Sequence, residues 1–186
     1  MPDQILWFAA RGAGIVSLIM LTASAVFGLV TVTRFQAAGW PRFFNYEMHR
    51  RISLLSVVFL ATHILAAVFD PYLKLGLAAA LVPFAASWRP LPLALGVVSL
   101  YLVVALIATS LLRRHLSLRV WRLVHWTSYA MWPLALAHTL TAGSDASAPW
   151  MLAVEVACLA AVAGAVAWRW ADRDATMAQG RRALAR

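Results

Sequence analysis

The stretch HRRISLLSVVFLATH, residues 49–63, begins and ends with a histidine and is apolar through most of its length. A second stretch, HWTSYAMWPLALAH at 125–138, has the same arrangement. The histidines of the two pairs are separated by 14 and 13 residues, and they are His49, His63, His125 and His138. Ionisable side chains within long apolar segments are rare and usually functional. These two stretches therefore locate the candidate site.

The composition places both stretches in a membrane. Of the 186 residues, 63% are hydrophobic and 12% are charged, a balance that the surface of a water-soluble domain does not tolerate. A helix needs about 20 apolar residues to cross roughly 30 Å of hydrocarbon. Five segments approach or exceed that length, at about 12–33, 50–69, 90–112, 122–143 and 148–168. We predict an all-α, polytopic membrane helical bundle with five transmembrane helices, forming one domain over 1–186.

The segment 71–89, between the second and third predicted spans, is ambiguous. Its uncharged run at 75–88 has only 14 residues and contains Pro83. Runs of that length are more often interfacial or re-entrant than spanning. We predict a connection with an interfacial helix. The alternative, a sixth span, would reverse the direction of every later helix.

The basic residues predict the orientation, because short cytoplasmic loops are enriched in Lys and Arg. Thirteen of the 16 basic residues lie in the first connection, the third connection and the C-terminal segment. They are Arg34, Arg42, Arg50, Arg51, Arg113, Arg114, Arg119, Arg122, Arg169, Arg173, Arg181, Arg182 and Arg186. We predict an external N-terminus and a basic cytoplasmic tail at 169–186. This distribution explains the net charge of +9 without a nucleic-acid partner.

With this topology the second and fourth spans run parallel. His49 and His125 lie near the cytoplasmic edge, whereas His63 and His138 lie about 20 Å further out at 1.5 Å per residue. A low-spin haem iron takes two axial imidazoles. The pattern predicts two bis-imidazole haem sites, an inner one at His49 and His125 and an outer one at His63 and His138. A lone intramembrane histidine more often hydrogen-bonds a neighbouring helix, but four at two matched depths are hard to explain in that way.

The spacing on the fourth span raises a geometric difficulty. On an ideal helix, 14 residues bring His63 to within roughly 40° of His49, but 13 residues leave His138 about 140° from His125. Pro133 lies between these last two histidines, and a proline removes a backbone hydrogen bond and bends or rewinds a helix. We expect this distortion, together with helix tilt, to bring both imidazoles to one seam.

The doubled spacing resembles the haem-binding core of the ferric reductase-like transmembrane domain family, which includes ferric reductases, NADPH oxidases and the haem subunit of the periplasmic methionine sulfoxide reductase system. The stretches at 49–63 and 121–138 are similar to that family's two haem helices, and LVPFAASWRPLPLALG at 81–96 resembles its linking segment. The resemblance implies that two b-type haems carry electrons across the membrane, which we expect to be a bacterial plasma membrane. It also implies a cytoplasmic flavin or nicotinamide donor and an external acceptor such as ferric iron, oxygen or a partner protein.

The chain departs from the larger members of that family. Only about 18 residues follow the last predicted span, too few for a flavin or nicotinamide domain, and no glycine-rich dinucleotide motif occurs. We therefore expect an oxidoreductase electron-transfer subunit that depends on a separate cytoplasmic flavin/NAD(P)H reductase or on quinol. Two other functions stay open: a quinol-linked di-haem cytochrome serving a periplasmic reactant, and a haem-free transporter or assembly protein with intramembrane histidines. Bound flavin or quinone is left open.

Several further residues are candidates for cofactor binding. Guanidinium groups bind carboxylates in a bidentate manner, so arginines near the histidines are candidates for haem propionates. On the inner side they are Arg50, Arg51, Arg119 and Arg122. On the outer side Arg89, together with Lys74 and Trp88, is a candidate for the outer propionates or for an anionic acceptor such as chelated iron. The alternative is that the inner arginines only enforce topology. Trp126 is a candidate to pack on a porphyrin face, although an aromatic helix face in lipid is commoner.

Overall fold

The chain folds as a helical protein, as predicted. The computed structural model describes residues 4–32, 41, 43–73 and 75–184, with side chains described as far as residue 173. These residues form helices and no strand. The α-helices are α1 (Ile5–Val32), α2 (Phe44–Phe69), α3 (Gly76–Leu81), α4 (Pro90–Leu111), α5 (Leu118–Trp126), α6 (Ser128–Ala142) and α7 (Pro149–Leu184), with one 3₁₀ turn at Arg113–His115.

Four of the described helices are long and apolar enough to cross a membrane. They are α1, α2, α4 and the Pro149–Arg173 part of α7, with mean hydropathies between 2.0 and 2.5. Only 11% of the most apolar stretch of α2 is buried within the protein. Its exposed surface is apolar, which suits contact with hydrocarbon and not with water. The chain is therefore a multi-pass membrane protein, as its composition predicts.

The fourth predicted span, 122–143, differs from expectation, because it consists of two helices in succession. α5 has nine residues and α6 has 15, and they meet at Thr127. The Thr127 N–H donates to the Val124 carbonyl at 2.9 Å, and the Ala130 N–H donates to the Thr127 carbonyl at 3.0 Å. Both bonds connect residues three apart, the tighter 3₁₀ winding. The discontinuity thus lies at Thr127. The sequence predicted it at Pro133, six residues later.

The other element bounds also shift. α1 begins at Ile5, so Arg11 is helical and not before the span. α7 continues to Leu184, through most of the segment predicted as a tail. Among the described residues of the second connection, the single helix is the six-residue α3, which is too short to cross a membrane. The interfacial position of α3 stays a prediction.

An apolar core joins α1, α4, α6 and α7. It contains Leu18, Leu21, Val103, Leu106, Met131, Trp132, Leu136 and Cys158, each no more than 8% exposed. Two polar contacts cross it: the Trp132 Nε1–H donates to Thr22 Oγ1 at 3.0 Å, and Ser99 Oγ donates to the Met131 carbonyl at 3.2 Å. On α6 and the adjoining α5, the core residues lie between His125 and His138 in sequence. The core therefore separates two levels of the bundle.

Candidate functional site

The four histidines meet as two pairs across helices. His49 faces His125 with ring centroids 6.1 Å apart and ring planes at 77°. His63 faces His138 at 6.3 Å and 74°. We call these the inner pair and the outer pair, following the orientation predicted from charge. Since α2 supplies one ring to each pair and α5 and α6 supply the others in the same order, α2 and the α5–α6 segment run in the same direction.

The ring separation suits one metal ion between two imidazoles. Metal–nitrogen bonds of about 2 Å on both sides place the nitrogens about 4 Å apart and the centroids roughly 6 Å apart, close to both observed separations. Among the described residues, no group of three or more His, Cys, Asp or Glu side chains is arranged to hold a metal ion. Two imidazoles that face each other at this distance could hold the metal of a cofactor that brings its other ligands with it, as a porphyrin does.

Three of the four imidazoles are fixed at Nδ1 by a backbone carbonyl of a neighbouring helix. The bonds join His49 to Ser24 at 2.8 Å, His63 to Ala10 at 2.7 Å, and His138 to Pro92 at 2.8 Å. A carbonyl oxygen only accepts, so Nδ1 carries the proton and Nε2 keeps its lone pair. This is the tautomer that a metal-binding imidazole uses when its other nitrogen is anchored.

Each of the three carbonyls lies four residues before a glycine. The sets are Ala10 with Gly14, Ser24 with Gly28, and Pro92 with Gly96. A Cβ added to Gly14 would lie 2.8 Å from Nδ1 of His63, and one added to Gly96 would lie 2.8 Å from the His138 ring. A Cβ added to Gly28 would lie 3.3 Å from the His49 ring. The imidazoles thus occupy space that any other residue would fill.

The fourth imidazole, His125, is held differently. Its Nδ1 is buried and has no hydrogen-bond partner among the described residues. The ring instead stacks on Trp121, one helical turn earlier, with centroids 4.8 Å apart and planes at 22°. The Arg113 guanidinium lies 5.1 Å from the Trp121 ring. Aromatic stacking therefore orients this ring, in place of a hydrogen bond to a backbone carbonyl.

A cavity of about 270 Å³ lies beside the outer pair. His63, His138, Gly14 and Gly96 line it, and most of its wall is apolar. Trp7, Arg11, Trp88 and Asp145 line it towards the α6–α7 connection. Arg11 forms an ion pair with Asp145 and lies 3.9 Å from the Trp7 ring centroid. The space next to both imidazoles is therefore largely apolar, with the paired Arg11 and Asp145 among its few charged lining residues.

The inner-side arginines lie on the surface. Arg50 and Arg51 are mostly exposed and pair with Glu47 at 3.7 and 3.3 Å. Arg119 and Arg122 are exposed on α5. Their role in propionate binding stays a prediction.

The remaining candidates lie at opposite ends of the bundle. Trp126 is 65% exposed, and Trp121, on the same helix, is the tryptophan that stacks on His125. Arg89 donates from Nη1 to the Thr141 carbonyl at 2.6 Å, which ties the start of α4 to the end of α6. Lys74 lies outside the described residues.

The sequence pattern missed several residues that the structure brings to the histidines. They are Gly14, Gly28, Gly96, Trp121 and Arg11. One signal for the glycines was present, because Gly14 and Gly28 are 14 residues apart, the same interval that separates His49 from His63. On antiparallel helices, equal intervals place each glycine opposite one histidine.

A membrane bundle that presents two facing histidine pairs at two levels belongs to the class of multi-pass proteins with two candidate cofactor sites. Residues 13–136 match the model of the family described as the ferric reductase like transmembrane component. The match covers more than half of the chain, and the chain belongs to this family. It includes three of the four histidines and ends just before His138. No curated protein and no solved structure gives a significant match. Family membership indicates a membrane electron-transfer function of the cytochrome type.

Proposed function

We propose that the chain is a di-haem b-type cytochrome that moves electrons across the membrane. The observation that carries this proposal is the geometry of the two histidine pairs. Their ring separations of 6.1 and 6.3 Å suit one metal ion each. Three of the four Nε2 atoms are left as lone-pair donors by the bonds at Nδ1. Haem iron, when bound between such imidazoles, supplies reversible one-electron chemistry.

The helices set the distance between the two sites. One α-helix, α2, supplies a ligand to each pair, and its 14-residue interval is about 21 Å long. The apolar core with Trp132 lies between the two levels, and its side chains are each no more than 8% exposed. The inner and outer sites are therefore held at fixed depths by one continuous helix.

We assign five membrane crossings with the N-terminus outside and the C-terminus in the cytoplasm. α5 and α6 together form the fourth crossing, because α2 and this segment run in the same direction while α4 lies between them in sequence. At the end of the inner pair, the described residues include six arginines in the third connection, α5 and the start of α2. They are Arg50, Arg51, Arg113, Arg114, Arg119 and Arg122. Such an excess of basic residues is typical of the cytoplasmic side.

The proposed donor acts at the cytoplasmic end and is a flavin/NAD(P)H reductase or quinol. The proposed acceptor is external: ferric iron, oxygen or a partner protein. The exposed arginines near the inner pair suit an acidic partner surface or anionic lipid. A quinol-linked cytochrome that serves a periplasmic reactant uses the same two sites, and vesicle assays with defined donors on each side separate the two proposals.

An absorption spectrum of the purified protein, made in cells with ample haem, tests the proposal. We expect the sharp bands of low-spin b-type haem after dithionite reduction, and two haems per chain by pyridine haemochromogen assay. A protein that carries no haem under these conditions would overturn the proposal. That result would favour a haem-free transporter or assembly protein.

A further inference from the structure

We propose that three carbonyl-glycine pairs on α1 and α4 are the positioning elements that prepare the histidines for metal binding. The pairs are Ala10 with Gly14, Ser24 with Gly28, and Pro92 with Gly96. This inference rests on the proposed haem function and deepens it, because it assigns the residues that decide how each imidazole is presented.

The arrangement follows from helix geometry. In an α-helix the carbonyl of residue i accepts a hydrogen bond from the N–H of residue i+4 and keeps a second lone pair. The side chain at i+4 leans back over the preceding turn and covers that carbonyl. A glycine at i+4 leaves it open. In each of the three pairs an imidazole N–H takes the open position, at 2.7 to 2.8 Å.

The chemical consequence falls on the opposite ring nitrogen. Donation from Nδ1 to a carbonyl fixes the tautomer, fixes the ring orientation and makes Nε2 a stronger base, and losing such a partner typically lowers metal affinity about 10- to 100-fold. A more basic axial imidazole stabilises the ferric form. Weakening the bond at Nδ1 therefore raises the midpoint potential of the haem that the imidazole ligates.

The three glycines differ in how closely the imidazole ring approaches them. An added Cβ would lie 2.8 Å from the ring at Gly14 and Gly96 but 3.3 Å away at Gly28. Gly14 and Gly96 both serve the outer pair, and Gly28 serves His49 of the inner pair. Alanine at either of the first two positions must displace an imidazole, whereas alanine at Gly28 requires a smaller shift.

The test compares three glycine-to-alanine variants with two matched controls. The variants are Gly14→Ala, Gly96→Ala and Gly28→Ala. The controls are Gly12→Ala and Gly164→Ala, because a Cβ at either position meets no atom of the described residues within 4 Å. The readouts are haem per chain, a redox titration that resolves the two haems, and the low-spin electron paramagnetic resonance signals.

We expect Gly14→Ala and Gly96→Ala to lose the outer haem or raise its midpoint potential, and to leave the inner haem unchanged. Gly28→Ala should retain both haems, raising the potential of the inner one only. Both controls should match the unmodified protein. Unchanged potentials and signals in Gly28→Ala would overturn the inference. Effects in the controls as large as those in the variants would also overturn it. If Gly14→Ala or Gly96→Ala does not fold, Gly28→Ala still decides the test.

A haem-independent measurement distinguishes this inference from the proposed function. In protein prepared without haem and labelled with ¹⁵N at histidine, nuclear magnetic resonance should show the Nδ1–H tautomer for His49, His63 and His138. Gly14→Ala should remove that signature from His63 alone. The Nε2–H tautomer at these three rings would overturn the inference even if the protein binds haem. If the protein binds no haem but shows the expected tautomers, only the haem proposal fails.

Discussion

The outer and inner histidine pairs share α2 and nearly the same ring separation, but they differ in how the second imidazole is supported. In the outer pair, both Nδ1 atoms donate to carbonyls, and both rings lie against a glycine. In the inner pair only His49 has this support, and the Nδ1 of His125 has no partner among the described residues. The same ligand set is therefore built with two different degrees of pre-organisation.

The helices that carry the second ligands explain this difference. His138 lies on α6, which buries Met131, Trp132 and Leu136 in the core. His125 lies on α5, a nine-residue helix with no buried residue. A ligand on a poorly packed helix without an anchor loses more freedom when it binds a metal. We expect His125 to be the weakest of the four ligands.

The largest expected effect comes from removing one ligand of the outer pair. His63→Ala or His138→Ala should remove the outer haem and leave the inner one, because the two levels are about 20 Å apart along α2. Haem per chain and the redox titration report the loss. Equal loss of both haems from a stably folded variant would contradict the pairing of His63 with His138.

A smaller effect should follow from removing the stacking partner of the inner pair. Trp121→Ala should weaken haem binding at the inner site roughly 10-fold, as is typical when a group that orients a metal-binding imidazole is lost, because His125 stacks on that ring and its Nδ1 has no hydrogen-bond partner among the described residues. The measurement is haem retained in each site after competition with an apo-haemoprotein.

Leu123→Ala is the control for this variant, since Leu123 lies on the same helix and is 72% exposed. It should retain the inner haem fully. A loss in Leu123→Ala as large as that in Trp121→Ala would show that the stack does not carry the effect.

The smallest expected effect is a difference in coupling energy between two ion pairs, one at each end of the bundle. Arg11 and Asp145 are each about one quarter exposed, and their coupling should stabilise the fold by about 0.5–1 kcal/mol. Arg51 and Glu47 form a more exposed pair on one helix, and their coupling should be about 0.3 kcal/mol. Double-mutant cycles with Arg→Gln, Asp→Asn and Glu→Gln changes, followed by unfolding in detergent, measure both. Equal coupling energies for the two ion pairs would contradict this prediction.

The composition and the lengths of the apolar segments were enough to predict a helical membrane protein. The histidine positions, together with the topology predicted from the basic residues, were enough to predict which histidines face each other. These features could not locate the break in the fourth span. Pro133 is visible in the sequence, but the break lies at Thr127, where two backbone bonds take the 3₁₀ form. Thr127 donates from Oγ1 to the Val124 carbonyl at 2.7 Å, but threonines also make such local bonds within unbroken helices, so the residue type alone does not mark the break.

The supporting residues were harder to predict because their roles depend on contacts between helices. Gly14 and Gly28 look like ordinary small residues in a span until α1 is known to pack against α2 in the opposite direction. Trp121 offered a local signal, since it precedes His125 by four residues and so lies on the same helix face. Trp126 follows His125 directly in sequence, but its side chain points about 100° away from that of His125 around the helix axis.

The apolar core between the two pairs has an electrical consequence. In the proposed orientation this core lies within the hydrocarbon layer across which a membrane voltage falls, and the 14-residue interval on α2 covers about 21 Å of a thickness of roughly 30 Å. An electron that moves outward between the two levels then crosses about two thirds of the voltage. With the inside negative, this step releases about 1.5 kcal/mol per 100 mV. With the proposed function and orientation, outward transfer is thus assisted by the membrane potential and dissipates it.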